Sequence, residues 1–109
     1  IDVISIITND GWWGNTAGHK QHFSYSKLRA IEQKRAIVRS ANTGISGFIN
    51  PLGEVREIAK WDEKKVIKSQ VAICNTVTFY NQFGDYIGRI SSFISSIFIL
   101  MILVKSKIQ

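Results

Sequence analysis

An α/β domain followed by one membrane-crossing helix is the fold class this sequence predicts, and three observations carry it. Residues 3–8 (VISIIT) are β-branched and almost continuously apolar, as a strand buried on both faces is. Residues 21–35 carry helical spacing and are followed directly by a second strand-like run at 36–41. Residues 90–104 (ISSFISSIFILMILV) hold no charge and are bounded by Arg89 and Lys105.

Taken in order, Asn9-Asp10-Gly11 ends the first run with residues that favour turns. Residues 12–18 then read as a glycine-bearing loop. The helix at 21–35 places Phe23, Ala30 and Ile31 near one side, with Leu28 beside them. Asn42-Thr43-Gly44 is a tight connection after the second strand. Residues 45–50 and 54–59 pair as a hairpin about Pro51-Leu52-Gly53. Residues 61–65 are polar, a surface excursion. Residues 70–77 alternate, with Val71, Ile73 and Val77 on one side and Ala72, Cys74 and Thr76 on the other, which predicts a further strand.

The last run is the one that departs from an ordinary small domain. Fifteen helical residues span roughly 22 Å, and residues 86–89 extend this to about 28 Å, close to the roughly 30 Å hydrocarbon layer. Ser91, Ser92, Ser95 and Ser96 weaken the apolar signal, although a helical serine can bond back to its own backbone. A buried core helix has this length too. However, residues 98–104 are apolar all round, and a core helix of so small a domain needs a polar side. The organisation expected is a body at 1–85, a spanning helix at 86–104 and a short basic tail at 105–109.

The chain has 109 residues, enough for one domain. Cys74 is the one cysteine, which excludes a disulfide scaffold and a cysteine-rich zinc site. Met101 is the one methionine, and the chain opens inside an apolar run, so it is expected to be a piece of something larger. The net charge is +6, and Lys20, Lys27, Arg29, Lys34, Arg35 and Arg39 stand close together against Glu32 alone. Such a stretch can meet an anionic partner, but a solvated helix face is the commoner reading. No nucleic-acid motif interleaves these charges with aromatics, so no nucleic-acid partner is expected.

Few residues offer chemistry by themselves. Cys74, flanked by Ala72 and Thr76, reads as a small packing residue. His19 and His22 could share a helix face, but a metal site needs a third ligand, so none is expected. Arg29 and Glu32 are spaced for a helix-surface ion pair. Trp12 and Trp13 are large rings in a loop, and either cover a core edge or line a ligand pocket.

Several motifs together resemble a known family. They are Thr8-Asn9-Asp10-Gly11-Trp12-Trp13-Gly14-Asn15, Gln21-His22, Arg29-Ala30-Ile31-Glu32, and Arg39-Ser40-Ala41-Asn42-Thr43-Gly44-Ile45-Ser46. With the hairpin at 50–54 and Thr78-Phe79-Tyr80-Asn81-Gln82-Phe83-Gly84-Asp85 before the apolar run, the chain resembles the carbon–nitrogen hydrolase (nitrilase-like) superfamily. More narrowly it is similar to the carboxyl-terminal portion of the apolipoprotein N-acyltransferases.

The resemblance implies part of an α-β-β-α sandwich that faces the periplasm, with the closing helix in the bacterial inner membrane and the carboxyl terminus in the cytoplasm. It implies an enzyme moving an acyl chain from a phospholipid to the amino-terminal cysteine of a lipoprotein through a thioester, without a cofactor and as a monomer. That chemistry needs a nucleophilic cysteine, a glutamate base and a lysine for the oxyanion. In the family these lie upstream of the Asn-Asp-Gly-Trp motif, and neither Cys74, Glu32 nor any lysine here matches them, so the chain alone is expected to be inactive. The roles carried over are supporting ones. Trp12 is a pocket wall, Asn9 and Asp10 shape its loop, and Arg29, Glu32, Asn42 and Gly44 are scaffold contacts. The competing readings are a soluble amidase of the same superfamily, which would lack the apolar tail, and a non-enzymatic membrane-anchored lipid-binding module.

Overall fold

The computed structural model describes all 109 residues. Two compact units divide it, Ile1–Thr78 and Phe79–Gln109. The first holds a four-stranded mixed sheet in the order β1-β2-β3-β4, formed by β1 (Val3–Asn9), β2 (Ala36–Asn42), β3 (Ser46–Ile49) and β4 (Val55–Ala59). Helix α1 (Ala17–Gln33) carries the chain from β1 to β2, which run parallel in register from Val3 opposite Ala36 to Asn9 opposite Asn42. A crossover helix is what a parallel pair requires. The two hairpins that follow are antiparallel. In the second, Gly47 faces Ile58 and Phe48 faces Arg56, so Glu57 is the extra residue of a bulge, at φ +28°.

Helix α1 starts four residues before the sequence predicts. Thr16 caps it, accepting from the Gly18 amide at 3.3 Å, and a single 3₁₀ turn (Gly11–Trp13) fills the loop before it. Gly18 disguises this start, because glycine is a poor helix former. Yet a Cβ there would stand 2.9 Å from Trp13 Cγ, so the helix needs glycine to let the indole lie against it.

The buried face of α1 is His19, Phe23, Ser26 and Ala30, while Leu28 and Ile31 are about half exposed. At 3.6 residues per turn, Ile31 stands a quarter-turn away from Ala30, off the stripe the sequence suggested. The core joins Phe23 and Ala30 to Ile37 and Ile49, with Ile4, Ile6, Ile45 and Val55 packed around them.

Residues 70–77 do not form the strand their alternation predicts. They run as irregular chain tied to the end of α1, where Arg35 Nη1 donates to the Thr76 carbonyl at 2.7 Å and Thr78 Oγ1 to the Glu32 carbonyl at 2.6 Å.

The second unit contains α2 (Phe79–Phe83) and α3 (Tyr86–Ile108). Helix α3 has 23 residues, roughly 34 Å of helix, and is long and apolar enough to cross a membrane. Asp85 caps it, accepting from the Gly88 amide at 2.9 Å. Lys105 and Lys107, expected in a tail, belong to its last turn. Two of its four serines turn inward, Ser95 donating to the Ser91 carbonyl and Ser96 to the Ser92 carbonyl, both at 2.8 Å.

Candidate functional site

The parallel pair brings the ends of β1 and β2 side by side, and the loops that leave them carry most of the singled-out residues. In open α/β sheets the carboxyl ends of parallel strands are where ligands bind. Asn9 Oδ1 accepts from the Gly11 amide at 3.2 Å and so bends the chain into the 3₁₀ turn. The Asn42 carbonyl accepts from the Gly44 amide at 2.8 Å and from Thr43 Oγ1 at 2.6 Å. Thr43, at φ +62°, is a β-branched residue in the left-handed region, a strain kept where surrounding structure dictates it. Beside it, with Lys60 and Asp62 on the far wall, lies a cavity of about 260 Å³.

Asp10 is fully buried at the centre. Its Oδ2 accepts from Arg39 Nη2 at 2.8 Å, and its Oδ1 from His22 Nδ1 at 2.8 Å and Thr8 Oγ1 at 3.0 Å. Burial pushes the carboxyl up in pKa. The bonds from His22 and Thr8, with the charge and bond of Arg39, outweigh that and hold it below the ordinary 3.8. Gly44 closes the cluster, since a Cβ on it would meet the Asp10 Cβ at 2.7 Å.

Arg39 departs most from the sequence reading. The basic stretch reads as a solvated helix face, yet Arg39 sits on β2 with its side chain 1% exposed. It donates to Ser26 Oγ at 2.9 Å and to the Ile45 carbonyl at 3.2 Å, with its guanidinium 5.8 Å from the centre of the Phe23 ring. One cation therefore ties β1, α1, β2 and the start of β3. The signal available in the sequence was position: Arg39 stands among apolar residues of a strand, where an unpaired charge is not tolerated.

The two tryptophans separate. Trp13 packs on Gly18 and meets the His22 ring edge-on, centroids 5.1 Å apart. Trp12 is 80% exposed. His19, three residues from His22, faces elsewhere, buried against Trp61 at 4.4 Å with its Nδ1 unpartnered. No three His, Cys, Asp or Glu side chains come together as a metal site.

Arg29 and Glu32 lie away from this cluster. They form an ion pair of 2.7 Å on the outer side of α1. Cys74 is half-buried in a separate groove between the 69–74 segment and the hairpin, near Lys34 and Phe48. Its thiol lies 3.5 Å from Thr76 Oγ1, which holds its pKa below the usual value, with smaller help from Lys34 and Arg35.

No family model matches the chain. Among curated proteins it is 31% identical over 104 residues to an apolipoprotein N-acyltransferase of Chlorobaculum tepidum, covering 95% of this chain and 20% of that protein. It is 35% identical over 103 residues to that of Rickettsia prowazekii, covering 94% and 20%. With a Rickettsia bellii apolipoprotein N-acyltransferase it shares 39% over 85 residues, 77% of this chain and 17% of that protein. The chain thus spans about 20% of the length of the relatives first matched.

Proposed function

We infer, from a chain that belongs to the apolipoprotein N-acyltransferase family, that it is the carboxyl-terminal part of a membrane enzyme moving an acyl chain from a phospholipid to the amino-terminal cysteine of a lipoprotein. The observation that carries the reading is a similarity of 31% identity that covers 95% of the chain. The enzyme holds the acyl group as a thioester before transfer. Phospholipid is the donor and the amino terminus of a lipoprotein the acceptor, and the enzyme works as a monomer.

Within it, the first unit is one part of an α-β-β-α sandwich. Trp12, standing free of the body, is a wall of the substrate pocket, and Asn9 and Asp10 set the loop that presents it. Asn42 and Gly44 brace that loop, and Arg29 and Glu32 brace α1. Neither Cys74 nor Glu32 holds a place that matches the family's nucleophile or base, so this chain alone transfers no acyl group. Helix α3 spans the inner membrane with the body in the periplasm. Lys105 and Lys107 follow the apolar run and Arg89 precedes it, and cytoplasmic ends carry the excess of basic residues.

The test is to incubate the full-length enzyme containing this chain with phospholipid and a diacylated lipopeptide, and to weigh the product. Triacylated peptide formed through an acyl-enzyme is expected. Hydrolysis of a small amide instead, without acyl transfer, would favour an amidase.

A further inference from the structure

We propose that the aromatic rings of α2, together with Tyr86, form an interfacial anchor that seats the amino-terminal end of α3 at the surface of the lipid bilayer. The inference rests on the reading of α3 as a membrane span and names what holds that end in place.

The segment that leads into the span is built as one piece. Phe79 and Phe83 are four residues apart on one side of α2, with ring centroids 4.4 Å from each other. Tyr86 meets Phe79 edge-on at 4.9 Å. Between them Gly84 takes φ +63°, its amide donating to the Tyr80 carbonyl at 2.7 Å and its carbonyl accepting from the Tyr86 amide at 2.9 Å. This left-handed turn, natural to glycine, brings rings on either side of it into contact. The three rings nevertheless stay 58%, 49% and 37% exposed. Asn81 stands on the opposite side of α2, so the short helix has an apolar and a polar side.

Length and charge decide what covers the rings. Lys105 closes the charge-free run of α3. Counting back from it through roughly 30 Å of hydrocarbon, at 1.5 Å per residue, reaches the other boundary about 20 residues earlier, at Asp85. Tyr86 and the rings packed with it then lie at that boundary, where aromatic side chains are favoured.

Arg89 fits the same placement. One turn of helix puts its backbone about 6 Å inside the boundary, a costly place for a charge. Its side chain runs back toward the start of the helix, and Nη2 donates to the Phe83 carbonyl. Long helical side chains point that way, and an arginine that snorkels keeps its cation at the level of the headgroups. The bond also satisfies a carbonyl that the end of α2 leaves open, and the guanidinium is complementary to lipid phosphate. Continuity with the span and this cation favour lipid as the occupant.

Photocrosslinking reads the occupant directly. The full-length enzyme containing this chain is reconstituted in phosphatidylethanolamine–phosphatidylglycerol vesicles, with Phe79 or Phe83 replaced by p-benzoylphenylalanine, which inserts into neighbouring C–H bonds on illumination. The same replacement at Asn81 is the control on the opposite side. Expected are variants that accumulate like wild type, phospholipid adducts at Phe79 and Phe83, and about a fivefold lower yield at Asn81. Adducts to another segment of the enzyme, no adduct at all, or an equal yield at Asn81 would each overturn the proposal. Failure of both Phe79 and Phe83 variants to accumulate would overturn it as well, by making the rings tightly packed core residues. Probes at Phe98 and Leu100, on opposite sides of α3, test the underlying reading separately. No lipid adduct at either would overturn the membrane span itself.

Discussion

At the scale of single residues, Arg39 and Asp10 are where charge, burial and loop geometry meet. Arg39→Ala leaves a buried carboxylate without its cation and should cost about 3–5 kcal/mol, read from denaturant unfolding of the detergent-solubilised chain. The pH dependence has a definite sign. Asp10 is held below 3.8 in the folded state, so its contribution is present above that value and is lost as pH falls through the lowered one. The stability gap between wild type and Asp10→Asn should therefore be constant at neutral pH and close below about pH 4. A gap unchanged at pH 3 would mean that the carboxylate is not held by these partners. Trp12, at 80% exposure, contributes little to folding. Its replacement by Ala should alter stability by less than about 0.5 kcal/mol while lowering acyl transfer in the full-length enzyme. Equal losses of protein and activity would make it a core residue.

The helical and strand elements show what a sequence reveals and what it conceals. Both parallel strands, the crossover helix and the hairpin were legible from their apolar runs, but β1, expected to be buried on both faces, is covered on one only, with Ser5, Ile7 and Asn9 exposed on the other. The helix start was not, since Gly18 lowers helix propensity and its reason for being there, the Trp13 ring, is a tertiary contact. A simple check is Thr16→Ala, which should cost about 1 kcal/mol as the loss of a helix cap. Residues 70–77 failed for a different cause. Alternation records two faces, but a strand also needs a neighbour, and this segment is instead held by Arg35 and the Glu32 carbonyl. The candidate site was half legible. Asn9, Asp10, Asn42 and Gly44 were singled out and lie together, whereas the partnership of Asp10 with Arg39 and His22 joins residues 29 and 12 positions apart. No local pattern encodes such distances.

At the scale of the whole molecule, a mixed α/β unit and a 23-residue apolar helix share one chain. Orientation is testable by thiol labelling in a Cys74→Ser background, a change expected to leave acyl transfer within a few fold of wild type because Cys74 lies in a groove away from the Asp10 cluster. A cysteine placed at Gln109 should resist a membrane-impermeant reagent in intact cells and react once they are permeabilised. Labelling in unbroken cells would mean an inverted helix or one that does not span.

The central claim, that this chain is a working part of an apolipoprotein N-acyltransferase, is tested most directly by transplantation. The corresponding segment of the Rickettsia prowazekii enzyme, 35% identical over 103 residues, would be replaced by this chain and the hybrid assayed in membranes. The account predicts a thioester on the hybrid and triacylated lipopeptide as product. A hybrid that inserts and accumulates like the parent, yet forms neither, would contradict it.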